Sequence, residues 1–441
     1  MPYAKSNRLP GEAASKLGHL SVVKSDWVKS LISEFEEPTN ASSGKAPSTW
    51  SSINSAAAPL SRVWAVDGSF VGVRAETGLG REVAFVKTAL LTVDRVKLNA
   101  IDKEHPHPLL LQNIMSDSAI FHATVFPLKN VRTSLGSNYD AVRHIVRDSL
   151  KLDENGAFYE TLKWLAYNLW AALPTNSPSF NCPHCNEIID GLAVGTDAAP
   201  CPICGDEVFL SDMLGFHLDM DEDSAPESIA SSYMLVMEHL MLFTAIRIFW
   251  NHSDKKLVSD TLFIKDGPLT LRSQYSKLIP NIRAFLQYAK EEDRPIHVIG
   301  QEKSGAFRDH LDSIARSVAP FERGEPASYA VLTHDYIRQE VYRSPDLKNP
   351  YGSRTNWGEK VYLKFDPATS MVINVPTGAY DSDGAFPLPT DLIGFDRILA
   401  TLPDLLSHKF EGALFPIELA NGVASMSSYP SSKVLQRFLE G

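Results

Sequence analysis

Four cysteines fall in one short window of the sequence, as two pairs with the same internal spacing. Two residues separate the cysteines within each pair, and fifteen residues separate the pairs. This pattern is typical of structural zinc sites, in which four thiolates complete a tetrahedral shell and leave no position for water. We therefore predict a zinc ribbon over residues 180–210, with the ligands Cys182, Cys185, Cys201 and Cys204. Disulfides or a redox pair are the alternative use of these residues.

Carboxylates are the second chemical feature. Two apolar segments run into an Asp-Gly pair, at Asp67 in AVDGS and at Asp266 in IKDGPL. An Asp-Gly pair after a strand is often no more than a turn. Two such pairs also suit a metal site, because acids at adjacent strand ends supply the hard oxygen ligands that Mg²⁺ and Mn²⁺ prefer. A third acid, Glu238, lies in a segment with helical periodicity.

These motifs resemble the NurA family of nucleases, and the resemblance extends over residues 60–428. AVDGS is similar to the family's first metal-binding motif and LFIKDGPL to its second, which implies that Asp67 and Asp266 are metal ligands. The family also places a glutamate on the helix before the second motif, and Glu238 is the best match. In the family a lysine follows the next strand, and Lys303 in VIGQEKSG matches it. The resemblance implies that Lys303 contacts the scissile phosphate. An exposed lysine that is only solvated is the alternative.

The resemblance implies an RNase H-like α/β fold, a mixed β-sheet flanked by helices. It implies a two-metal deoxyribonuclease that uses Mn²⁺ or Mg²⁺ to process DNA ends. It further implies a homodimer that acts with a HerA-like hexameric ATPase, in DNA repair or in anti-phage defence. The chain contains no GxxxxGK[ST] motif, so any ATP-driven step has to come from such a partner.

The resemblance departs near the C-terminus. Where the family commonly has a tyrosine and a histidine, this chain has Ala413 and Asn421. The Asn421 amide can still bind a hard cation or a phosphate, and we retain it as a candidate site residue. Loss of both family side chains favours an alternative function, a catalytically weakened scaffold that binds DNA and the ATPase. A third possibility, an Argonaute-like guide-binding protein, is disfavoured because the chain is acidic and contains no evident second nucleic-acid-binding domain.

Strands and helices must position these residues. Apolar patterning predicts a strand, hairpin and strand over residues 61–94, further strands at LFIKD and PIHVIG, and a late hairpin over residues 359–378. Helical periodicity marks residues 139–173 and 228–250. Such irregular alternation favours a mixed α/β sheet over a repeat or an all-helical fold.

Composition also suggests the domain limits. Residues 1–59 contain a short amphipathic helix that begins near Ser25 and Asp26, followed by a polar linker that we expect to be flexible. Residues 60–428 form the nuclease-like domain with the ribbon inserted, and residues 429–441 are a C-terminal tail.

The charge and the apolar segments limit the possible partners. A formal net charge of −11 argues against a broad basic surface that binds the phosphate backbone of DNA. Any DNA therefore has to be bound at a limited part of the surface. The longest apolar segment, residues 233–250, is interrupted by Glu238, His239 and Arg247. A bilayer core would penalise these three residues, so we expect a buried amphipathic helix and no membrane span. We also recognise no secretion signal, and we expect a cytoplasmic protein.

Overall fold

A computed structural model describes residues 25–34, 47, 50–53, 56–76, 80–95, 119–152, 155–220, 227–315, 327–342, 351–366, 369–378, 387–407, 412–426 and 431–440. The described residues fall into two compact units. The smaller unit contains the helix Asp26–Glu34, which confirms the predicted N-terminal helix, and residues 312–315. The larger unit contains all the other described residues and every candidate site residue.

Thirteen strands occur in the described residues. They are β1 (Ser51–Ser52), β2 (Arg62–Arg74), β3 (Glu82–Asp94), β4 (Ala119–Lys129), β5 (Phe180–Asn181), β6 (Ile188–Ile189), β7 (Ala198–Pro200), β8 (Glu207–Phe209), β9 (Thr261–Asp266), β10 (His297–Glu302), β11 (Ser328–Val331), β12 (Glu359–Lys364) and β13 (Ser370–Val375). Nine of them form one mixed sheet in the order β1-β11-β12-β13-β10-β9-β2-β3-β4. β9 is parallel to both of its neighbours, β2 and β10, so the three strands run in the same direction through the middle of the sheet.

The same part of the chain contains eleven α-helices. They are α1 (Asp26–Glu34), α2 (Asn138–Lys151), α3 (Ala157–Ala166), α4 (Ser228–Asn251), α5 (Lys256–Ser259), α6 (Ile279–Glu291), α7 (Ala306–Ala315), α8 (His334–Tyr336), α9 (Phe395–Thr401), α10 (Phe415–Ala424) and α11 (Ser431–Glu440). A π-helical turn, Ile337–Val341, continues α8. The mixed α/β class expected from the sequence is therefore confirmed.

Apolar side chains cover both faces of the sheet. Val66 of β2 and Phe263 of β9 join a core that includes α4 and α6. Their chain neighbours Ala65 and Ile264 join a second core, with α9 and α10. Because successive side chains of a strand point to opposite faces, each central strand contributes to both cores. The sheet is thus a layer between two helical layers.

The long helix α4 lies at the centre of the first core. It has buried residues on all sides, because β2 and β3 contact it from the sheet and α3 also packs against it. We expected an amphipathic helix here, and this was wrong in one respect: α4 is apolar around its whole circumference. Among the described helices, α4 alone has the length and composition to span a membrane, but 83% of its apolar window is buried in the fold. Such burial is typical of a core helix.

Three other elements differ from the sequence expectations. Part of the predicted linker, Ser51–Ser52, is a strand that pairs with β11, whereas residues 35–46, 48–49 and 54–55 lie outside the described residues. The helical segment 139–173 forms two helices, and Gly156, at a φ of 59°, is the N-cap of the second. The C-terminal tail contains α11.

Candidate metal-binding active site

The two Asp-Gly aspartates lie side by side in the middle of the sheet. In the parallel β2–β9 register Val66 is opposite Lys265, so Asp67 follows next to Asp266. We predicted that both aspartates end a strand, and this is wrong for Asp67, because β2 continues to Arg74. The parallel pairing with β9 nevertheless stops at Val66. Asp67 therefore lies where β9 ends, although its own strand goes on in a hairpin with β3.

Lys303 and Glu238 join the two aspartates. Lys303 follows β10 directly, and its Nζ lies 2.9 Å from Asp266 Oδ1. The charges of Asp266, Glu238 and Lys303 all act on the ionisation of Asp67. Four of the five predicted catalytic residues thus occupy one site, with carboxylates from β2, α4 and β9 and a lysine after β10.

Glu238 reaches this site because Gly68 has no side chain. A Cβ atom at Gly68 would lie 2.8 Å from Glu238 Oε1 and 2.5 Å from Met234 Cγ. Both contacts are with α4, so the glycine lets this helix approach the strand next to Asp67. The Asp-Gly pair in β2 therefore permits a close approach of helix and strand rather than forming a turn.

Lys265 is a member of the site that we did not predict. Its side chain is 1% exposed, and its Nζ lies 2.7 Å from Glu238 Oε2 and donates a hydrogen bond to the Asp266 carbonyl oxygen at 2.6 Å. A sequence signal for it exists, since a lysine within the buried strand TLFIKD has to find an anionic partner. Lys265 holds α4 to β9 and fixes the position of the Glu238 carboxylate.

Burial and mutual repulsion dominate the electrostatics of the site. Burial, together with the charges of Asp266 and Glu238, raises the pKa of Asp67 to about 8. Lys303 and the Gly68 N–H, which donates to Asp67 Oδ1 at 2.7 Å, oppose the rise without cancelling it. Burial also raises the pKa of Glu238, against the effect of Lys265. Asp67 therefore keeps a proton at neutral pH unless another cation replaces that proton.

The chemistry of these donors suits a divalent cation of the Mg²⁺ or Mn²⁺ type, although among the described residues only the four cysteines, and not these carboxylates, have ligand atoms within 4.8 Å of one another. In the part of the chain that the structure describes, three carboxylates from separate elements face two ammonium groups, those of Lys265 and Lys303. Such oxygen donors are the ligands that hard cations prefer, and a cation would relieve the repulsion that raises the pKa of Asp67.

Asn421, the fifth predicted residue, has an exposed side chain on α10, and no described interaction links it to Asp67 or Asp266. The turn before α10 is held instead by Gln301, which is fully buried in β10 opposite Asp266. The Gln301 amide donates to the Gly412 carbonyl oxygen at 2.6 Å and accepts from the Leu414 N–H at 3.2 Å. Gln301 thus anchors the turn that leads into α10, and the role of Asn421 stays a prediction.

We expect Gly68→Ala to impair the site, because the added methyl group collides with Met234 and Glu238 and forces α4 away from Asp67. Gly72→Ala is the matched control on the same strand, since its Cβ would meet the carboxylate of exposed Glu227, which can move aside. Affinity for Mn²⁺ should fall by roughly 10-fold or more in the Gly68 variant and change little in the control. Equal affinities in the two variants, measured by calorimetric titration, would contradict the close approach of Glu238.

The raised pKa of Asp67 predicts a pH effect on stability. Unfolding returns its pKa from about 8 towards 3.8, so between these values the folded protein binds one more proton than the unfolded chain. The free energy of unfolding should consequently fall as pH rises through this interval. Thermal melts without added Mn²⁺ or Mg²⁺ should show this fall between about pH 5.5 and 8, and Asp67→Asn should reduce it. A pH dependence that is identical in the wild type and the variant would refute the assignment.

The four cysteines form a second, separate cluster. Their sulfur atoms all lie within 4.8 Å of one another, with Cys182 to Cys204 at 3.8 Å and Cys185 to Cys201 at 3.9 Å. A tetrahedral site with Zn–S bonds of about 2.3 Å requires sulfur separations of about 3.8 Å. The cluster is therefore suited to a metal ion such as Zn²⁺.

The two halves of the cluster have the same local structure. Backbone N–H groups of His184 and Ile203 donate to the first sulfur of each pair, at 3.4 and 3.5 Å. Asn186 and Gly205, one residue after each pair, both have a positive φ. Backbone hydrogen bonds also lower the pKa of Cys201 to about 7. Burial raises the pKa of Cys182 despite the same kind of hydrogen bond, so the two pairs share a turn geometry that directs N–H groups at the first sulfur rather than a common preference for thiolate.

Comparisons with known proteins identify no relative in sequence. The chain matches no protein-family model, and no curated protein matches it. Solved structures that match include one described as "Crystal structure of NurA", at 11% identity, with 98% of each chain covered and a TM-score of 0.30. A likeness at this score carries no argument.

Proposed function

We propose that the protein is a deoxyribonuclease that depends on Mn²⁺ or Mg²⁺ and processes DNA ends, with an RNase H-like core. The observation that carries the proposal is the convergence of Asp67, Glu238 and Asp266 from three elements. In this buried cluster the pKa of Asp67 is raised to about 8. Burial and the neighbouring carboxylates together produce this raised pKa, and strongly perturbed carboxylates are typical of functional sites. Phosphodiester hydrolysis by a two-metal site is the chemistry that such a donor set serves.

Each residue has a distinct task in this proposal. Asp67, Glu238 and Asp266 would hold the divalent ions, which when bound polarise the phosphate and lower the pKa of a water molecule. Lys265 orients Glu238 through their ion pair. Lys303 is 34% exposed and pairs with Asp266, so its ammonium group can turn to an incoming phosphate. Asn421 would contact the substrate from α10.

The partners and setting belong to the same proposal. We expect a homodimer that receives DNA from a HerA-like hexameric ATPase, in the cytoplasm, during DNA repair or anti-phage defence. The net charge of −11 supports the need for a partner, because the chain has little surplus positive charge with which to hold DNA. Zn²⁺ at the four cysteines would have a structural role.

A scaffold without nuclease activity is the second candidate. Two ion pairs favour it, because Lys265 and Lys303 already neutralise Glu238 and Asp266 without any metal ion. Such a protein would bind DNA and the ATPase but would not hydrolyse DNA.

One assay separates the two functions. Purified protein is incubated with linear duplex, circular duplex and single-stranded DNA in Mn²⁺ or Mg²⁺, with and without the cognate ATPase. The nuclease proposal predicts degradation that starts from ends, requires the divalent ion and leaves circular duplex intact. DNA binding without hydrolysis under all these conditions would favour the scaffold.

A further inference from the structure

Two tyrosines form a stacked pair at the surface, in a region that the site residues do not occupy. The Tyr342 and Tyr351 rings have centroids 5.6 Å apart and planes inclined by 29°, and their hydroxyl oxygens are 3.3 Å apart. Tyr342 is 46% exposed, so this aromatic pair presents open surface to solvent. Exposed aromatic rings are surfaces on which unpaired nucleobases stack in single-strand-binding proteins.

The pair stands on a rigid base. Phe307, only 2% exposed, meets both rings at steep angles, with centroid distances of 5.7 Å to Tyr342 and 5.9 Å to Tyr351. Lys360 Nζ lies 4.6 Å from the centroid of Phe307 and is ion-paired with Glu302. An aromatic surface held in this way loses little conformational freedom when a base stacks on it.

Both tyrosines are tied to the strands that carry the metal-site residues. Phe307 lies four residues after Lys303. Lys360, which contacts the Phe307 ring, is ion-paired with Glu302, the residue directly before Lys303. The segment from Tyr351 to Trp357 pairs with the chain that follows Asp266, since the Trp357 N–H donates to the Leu269 carbonyl oxygen at 3.0 Å. The aromatic pair therefore lies at the end of the sheet where β9 and β10 terminate, as the carboxylates do.

A backbone irregularity sets the position of Tyr342. Its N–H donates to the Ile337 carbonyl oxygen at 3.0 Å, five residues back, so that the segment forms a π-helical turn. Such turns occur often at functional sites, because they redirect one side chain relative to the regular helix. Here the turn ends at the tyrosine that stacks on Tyr351.

We infer that the Tyr342–Tyr351 pair is a subsite that stacks an unpaired base of the DNA strand whose end enters the carboxylate site. This inference rests on the proposed function in taking DNA as the substrate, and it adds that the strand is single-stranded where it approaches the metal ligands. Duplex DNA keeps its bases stacked within the helix and offers no free base face to the tyrosines. The pair consequently selects unwound ends.

The test is a binding measurement that does not depend on catalysis. Fluorescence anisotropy with Ca²⁺ in place of Mn²⁺ compares wild type, Tyr342→Ala and Tyr342→Phe, using an oligodeoxythymidylate of about 15 nucleotides and a blunt duplex. Tyr342→Ala should weaken single-strand binding by roughly 5- to 150-fold, the range for loss of one base stack, and Tyr342→Phe should restore it. Duplex binding should stay unchanged. Phe438→Ala, which removes a 76% exposed aromatic ring on α11, is the control and should bind like wild type.

Three results would overturn the inference: wild type that does not bind the oligonucleotide, equal binding by Tyr342→Ala and Phe438→Ala, or no recovery in Tyr342→Phe. Failure of the proposed nuclease function is a separate outcome. In that case wild type binds the oligonucleotide through Tyr342 but does not hydrolyse DNA in Mn²⁺.

Discussion

Asp67→Asn is expected to lose DNA hydrolysis by roughly 10³-fold while the fold stays intact, a loss comparable to removal of a principal transition-state-stabilising group. Asparagine keeps the size of the side chain and one oxygen atom. It cannot form the negatively charged carboxylate that binds a divalent ion once the proton of Asp67 has been displaced. Because burial and the charges of Asp266 and Glu238 disfavour the ionised form of Asp67, an uncharged side chain at this position suits the metal-free protein. The variant should therefore melt at the same temperature as wild type or above it when no divalent ion is added.

Initial rates on linear DNA in Mn²⁺, alongside thermal melts, check this expectation. Asp94→Asn, a substitution of an exposed aspartate on β3, is the control and should retain the wild-type rate. If the Asp67 variant were folded and cut DNA as fast as wild type, Asp67 would not be a metal ligand, and the two-metal assignment would fail.

Cys201→Ser should cause the largest loss of stability, because it removes one of four metal ligands from a segment with little structure of its own. The ribbon strands β5 to β8 are two or three residues long, too short to be stable alone. Ribbon residues Cys182, Ile189 and Val208 nevertheless belong to the first core, so loss of the metal also exposes core side chains. Structural zinc contributes on the order of 10 kcal/mol to such segments.

Elemental analysis and thermal melts of wild type and variant measure this effect. Wild type should contain one zinc per chain, and the serine variant should contain less zinc and melt at a clearly lower temperature. Ile203→Ser changes a 58% exposed residue in the same turn and should keep both the zinc and the stability. Freshly purified wild type without zinc, or a serine variant as stable as wild type, would remove the zinc assignment.

Local patterns predicted the cysteine cluster and most of the central elements. The spacing of the cysteines determines their convergence, since each pair needs only a short turn to bring its sulfurs together. Apolar periodicity likewise predicted α4 and the β12–β13 hairpin, because the apolar pattern of each segment matches the period of one type of secondary structure. These predictions needed no knowledge of distant contacts.

Features that depend on distant partners could not be predicted in this way. The position of Asp67 beside Asp266 depends on the register of β2 with β9, and β9 is almost 200 residues away in the chain. Lys265 was missed because its role follows from the approach of α4, which in turn requires Gly68. Asn421 was chosen from a resemblance, and its exposed position depends on the course of α10 across the sheet.

The most direct test of the central claim is the location of bound Mn²⁺ in crystals of the protein. Anomalous difference maps from crystals soaked in Mn²⁺ should show density within coordination distance of carboxylate oxygens of Asp67, Glu238 and Asp266, and the same soak of Asp67→Asn should show much weaker density. The absence of anomalous density at the three carboxylates in saturating Mn²⁺ would contradict the account. In that case the ion pairs of Glu238 with Lys265 and of Asp266 with Lys303 would persist.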